Sequence, residues 1–85
     1  MELEPTERFI KDYERLPAWL RKQVGKKLEL LVADIGHRSL RVKPLHGNPG
    51  IYEGSITMKY RFLFTIKSDA YVLLRVGTHD ILDTR

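Results

Sequence analysis

Midway along the chain the spacing of apolar residues changes from a helical period to a strand period, and this switch restricts the fold more than any other feature. Before Gly36, the residues Leu20, Val24, Leu28, Leu31 and Ile35 recur at steps of four, four, three and four, with Trp19 and Val32 flanking the stripe. Pro17 suits the first turn of that helix, because its missing N–H would have had no partner there. Upstream, Thr6 is placed to cap a shorter helix, with Glu7 in the first turn and Phe9, Ile10, Tyr13 and Leu16 at helical spacing. Gly25 costs the longer helix about 1 kcal/mol against alanine, which suggests another backbone passing close. Gly36 is a natural stop. The two helices are predicted to form an antiparallel hairpin with one apolar face each.

After the connecting segment HRSLRVKPLHGNPG, three runs alternate or turn continuously apolar, at residues 51–58, 60–67 and 70–77. Their links, Lys59 and then Ser68 with Asp69, are short enough to make antiparallel neighbours. A further short strand is expected around Leu3. Helices first and strands afterwards predict an α+β domain, with an N-terminal helical hairpin packed on one face of a small curved antiparallel β-sheet.

Strand side chains alternate between faces, so parity sorts them. Tyr60, Phe62, Phe64 and Ile66 form a core set, which turns Arg61, Leu63, Thr65 and Lys67 outward. Val72, Leu74 and Val76 form the next, leaving Tyr71, Leu73 and Arg75 opposite. If that strand runs past Gly77, His79 shares the side of Arg75. In the first run Tyr52, Ile56 and Met58 face inward and Glu53, Ser55 and Thr57 outward. The outer face is thus expected to gather Glu53, Arg61, Arg75 and His79, with Arg41 and Lys43 arriving on the preceding segment.

With 85 residues the chain has room for one domain, residues 1–85. It has no cysteine, which excludes disulfides, thiolate chemistry and cysteine-based zinc sites. No apolar run approaches the length of a membrane span, and the acidic N-terminus is unlike a signal peptide, so a cytoplasmic location away from membranes is expected. The net charge of +4 is unevenly placed. Residues 1–34 hold seven acids and seven bases, whereas residues 35–85 hold eight bases, four acids and all three histidines. A one-sided positive field draws polyanions.

Cations around a histidine and a carboxylate suit RNA cleavage by internal transfer. That reaction needs a base for the 2′-hydroxyl proton, cations for the phosphorane and an acid at the leaving oxygen. A guanidinium fork fits a phosphate, and histidine serves as either acid or base near neutral pH. Tyr52, Tyr60 and Tyr71 offer aromatic planes for an unstacked base. The nucleophile belongs to the substrate, so no cofactor and no metal are expected. The histidines and acids also lack ligand spacing. The competing reading of Arg61 is an ion pair with Glu53 across the strands. Tyr13 and Trp19 are read as packing residues, and Gly47-Asn48-Pro49-Gly50 as a turn.

The strings ERFIKDYERLP, SLRVKPLHGNPGIYEGSI, KYRFLFTI and LLRVGTHDIL, in this order and spacing, resemble the RelE/ParE toxin superfamily of type II toxin–antitoxin systems, most closely its RelE/YafQ-like mRNA interferases. The resemblance implies a microbial-RNase-type fold and a ribosome-dependent mRNA endonuclease. It also implies a cognate antitoxin as partner, in a toxin–antitoxin hetero-oligomer, with mRNA on the ribosome as the other partner. It places Arg61 at a phosphate-binding position and His79 at a catalytic one. Glu53 is a candidate base, and Lys43, Arg41, Arg75, Lys59 and Tyr60 are candidate RNA contacts. Lysine at position 43 departs from the histidine or glutamate of relatives. Glu53 and Ser55 stand where RelE carries lysines, and no tyrosine or phenylalanine follows Gly77. Two alternatives stay open: a ParE-like inhibitor of DNA gyrase that cuts nothing, and an inactive module that only binds an antitoxin.

Overall fold

Thr6 caps the first helix and ties it to the sheet. Its hydroxyl accepts from the Phe9 amide at 3.2 Å and donates to the Leu73 carbonyl at 2.9 Å. The computed structural model describes residues 1–82. The elements are β1 (Glu2–Pro5), α1 (Glu7–Glu14), α2 (Ala18–Ala33), β2 (Lys43–Pro44), β3 (Ile51–Ser55), β4 (Tyr60–Ile66) and β5 (Ala70–Thr78). Short 3-10 turns occupy Arg38–Leu40 and His79–Leu82. Pro17 stands at the N-cap of α2, and the helix ends at Ala33, three residues before Gly36.

The α+β architecture is as expected, with a five-stranded sheet in the order β1-β5-β4-β3-β2. The sheet is mixed, not wholly antiparallel, because β1 runs parallel to β5. The helices and the inner face of the sheet enclose the main core. Phe9, Leu16, Leu20, Val24, Leu31 and Leu40 meet Ile56, Phe62, Phe64, Tyr71, Leu73 and Val76 there. Phe64 anchors an aromatic cluster, stacked on Phe62 at 5.5 Å and on Tyr52 at 5.7 Å between centroids and edge-on to Tyr71 at 5.7 Å. Each fully buried side chain of this size contributes about 1.5–3 kcal/mol. The exposed Lys67–Glu4 pair at 3.5 Å adds under about 1 kcal/mol, so packing decides the fold. Gly54 lies under the Phe62 ring, which an added Cβ would overlap.

Several sequence expectations are corrected. Inward parity on β5 belongs to Tyr71 and Leu73, not to Val72 and Leu74. The register pairs Phe64 with Leu73 but Leu63 with Arg75, so Leu74 is an extra residue in a β-bulge. Beyond the bulge the alternation resets and Val76 is buried as expected. Strand β3 stops at Ser55, and Met58 is 82% exposed in a turn. The Thr57 hydroxyl closes that turn by accepting from the Lys59 and Tyr60 amides, both at 3.2 Å. Ile66 and Trp19 are exposed, not packed. Nothing lies within 4 Å of a Cβ built on Gly25, so no backbone passes there.

The outer face of the sheet is not bare. Leu63 is buried, and with Leu45 and Ile81 it forms a second small cluster, flanked by Ile51, Leu74 and Leu82. The closing turn folds back over the sheet because Gly77 leaves it room. A Cβ there would stand 3.0 Å from Ile81 Cγ2.

Candidate active site

The β2–β3–β4 ladder sets the site. Lys43 pairs with Glu53, Glu53 with Leu63, Ser55 with Arg61, and Arg61 with Gly77. Directly paired residues share a face, so Lys43, Glu53 and Arg61 all stand on the outer side. His79 is the first residue of the closing turn and is exposed. Arg41 follows the Arg38–Leu40 turn in a left-handed conformation with φ of 49°, which swings the chain into β2.

These residues meet in one cleft of about 340 Å³, lined by Arg41, Lys43, Glu53, Arg61, His79 and Leu82. Three permanent cations face one carboxylate, so the cleft is positive whether or not His79 is protonated. Arg61 is anchored through one nitrogen. Its Nη1 donates to the Thr57 carbonyl at 2.6 Å, Ser55 Oγ at 3.0 Å and the Tyr60 carbonyl at 3.4 Å. The buried Ser55 in turn donates to the Thr57 carbonyl at 3.0 Å. A guanidinium held on one side in this way presents its remaining N–H groups in a fixed direction.

Glu53 is only 8% exposed, yet among the described residues it makes no ion pair and no side-chain hydrogen bond. The Glu53–Arg61 ion pair considered from sequence is therefore not formed. A carboxylate free beside cations can take a proton, and an exposed imidazole can give one. Among the described residues no cluster of His, Asp and Glu is suited to a metal ion.

Three candidates from sequence lie elsewhere. Arg75 does not line the cleft. Its Nε donates to Asp12 Oδ2 at 2.7 Å and its Nη2 to Asp12 Oδ1 at 3.3 Å. Asp12 also accepts from the Val76 amide at 3.2 Å, so one carboxylate closes the β5 edge where β1 has ended. Tyr60 packs against the main core, and Lys59 is exposed in the β3–β4 turn. Sequence reasoning missed the Ser55 and Thr57 anchor of Arg61 and the Asp12 clamp on Arg75. Ser55 was legible in principle as the cross-strand partner of Arg61, but only once the register was known.

The model of the family described as ParE toxin of type II toxin–antitoxin system, parDE, matches residues 3–82. Among solved structures, the YoeB/ParE toxin from Agrobacterium tumefaciens superposes with a TM-score of 0.79 at 20% identity, covering 93% of this chain and 99% of that one. YafQ from E. coli gives 0.78 at 17% identity, covering 98% of each chain. The archaeal RelE–RelB complex from Pyrococcus horikoshii gives 0.73 at 15% identity, covering 91% of this chain and 92% of that one. At these identities the likeness is one of fold. No curated protein matches the chain.

Proposed function

The chain belongs to the ParE toxin family of type II toxin–antitoxin systems, within the RelE/ParE superfamily, and from that premise we propose that its outer cleft cuts messenger RNA on the ribosome. The supporting observation is that Arg61, Glu53 and His79 line one positive cleft. In the proposed reaction Glu53 removes the proton of a 2′-hydroxyl, whose oxygen attacks the adjacent phosphorus. The bond from phosphorus to the 5′-oxygen breaks, leaving a 2′,3′-cyclic phosphate. Protonated His79 supplies the proton that the departing 5′-oxygen needs.

Arg61 holds the non-bridging oxygens as charge builds on them, with Lys43 and Arg41 in support. Preformed donors of this kind need no reorganisation at the moment of reaction. A cognate antitoxin silences the protein in a hetero-oligomer, as RelB accompanies RelE in the archaeal complex.

The second reading, a gyrase inhibitor, is favoured by the ParE family match itself. Inducing wild-type and His79→Ala proteins in cells separates the two. The nuclease reading predicts new 5′ ends inside translated codons that disappear with His79→Ala. Growth arrest with intact messages and blocked supercoiling would instead identify a gyrase inhibitor.

A further inference from the structure

A second depression, also about 340 Å³, opens on the outer face and is lined by Thr6, Arg8, Ile51, Leu63, Leu74 and Arg75. The proposed reaction makes no use of it. Its floor is apolar, built from the buried Leu63 and the half-buried Ile51 and Leu74. Leu74 contributes because the bulge adds it as an extra residue opposite β4. One guanidinium, Arg75, is held in place by Asp12 at 2.7 Å. The other, Arg8, is exposed and makes no ion pair among the described residues.

The depression continues the same ladder as the cleft. Leu63 lies two residues from Arg61 on β4, and Ile51 lies two residues from Glu53 on β3. Glu53 in the cleft and Leu63 in the depression are direct register partners. Two strand residues span about 7 Å, within the reach of a single nucleotide of an unstacked strand. An apolar floor with a cation at its rim suits a planar, partly polar ligand. An unstacked base packs against apolar side chains and against guanidinium planes.

We propose that this depression receives the unpaired nucleobase next to the phosphate held in the cleft, with Ile51 and Leu74 beneath the ring and the Arg8 guanidinium against it. The assignment rests on the nuclease reading of the cleft. It makes Arg8 and Leu74 residues that select where a message is cut, separate from those that cut it.

The test is to map 5′ ends across many translated codons after inducing wild type, Arg8→Ala and Leu74→Ala, each checked for folding by thermal melting. Bases differ in ring size and in the groups on their edges, so wild type is expected to favour some bases beside the cut by about five-fold or more, the ratio that roughly 1 kcal/mol supplies. Arg8→Ala and Leu74→Ala are expected to flatten that preference to under about two-fold while cutting continues. Arg8→Ala cutting with the wild-type base pattern, or a wild-type pattern indifferent to the neighbouring base, would overturn the base site and leave the cleft reading intact. Wild type that makes no cuts at all would remove the cleft reading, and the base site with it.

Discussion

Asp12 shows what a single side chain settles in a thin core. It accepts from Arg75 and from the Val76 amide, and both Asp12 and Arg75 are largely shielded from water, with side-chain exposures of 13% and 21%. Asp12→Ala leaves a shielded guanidinium and a strand-edge amide without their partner. The expected cost is about 2 kcal/mol, read as a melting temperature lower by roughly 10 °C for a domain of this size. Gly54 sets a second constraint. Gly54→Ala drives a methyl group into the buried Phe62 ring, and overpacking of this kind is expected to cost about 1–3 kcal/mol in chemical denaturation. Neither residue announces its role in the sequence. Asp12 reads as one more polar position on a short helix, and its partner lies 63 residues away.

Among the elements, the reading succeeded where period or capping chemistry was unambiguous. Thr6, the Leu20–Val24–Leu31 stripe and the Tyr60–Phe62–Phe64 alternation stand where expected. It failed on β5, where Ala70, Tyr71, Val72, Leu73 and Leu74 are apolar on both parities, so alternation carries no information and a bulge leaves no trace. Arg75 stands outside the cleft for a related reason. Parity assigned the residue a face but said nothing of Asp12, which waits beyond the strand edge. The closing turn carries the element-scale prediction. Ile81 is 6% exposed and pins that turn against Leu45 and Leu63, with His79 at its start. Ile81→Ala is expected to cost about 2–4 kcal/mol and to lower kcat for message cleavage while KM for programmed ribosomes changes little.

At the scale of the whole molecule, the helices are committed to the inner face of the sheet and the candidate cleft lies on the outer one. The excess of basic residues lies in the second half of the chain, which builds most of the sheet. Arg61 and Glu53 were legible in the sequence as outer-face residues, because β3 and β4 keep the parity that the pattern suggests, whereas Lys43 reaches that face by pairing with Glu53 and His79 on the turn after β5. Their gathering on one face was expected from the pattern, but the closing of a cleft around them was not, since it depends on Gly77 allowing the chain to fold back. The most direct measurement is the rate of message cleavage by wild type, Arg61→Ala, His79→Ala and the double variant in reconstituted translation. Each single variant is expected to lose about 100-fold or more, and the double variant to fall within about ten-fold of the slower single, because both groups act on the same phosphate. Either single variant cutting within about two-fold of wild type would place the chemistry elsewhere.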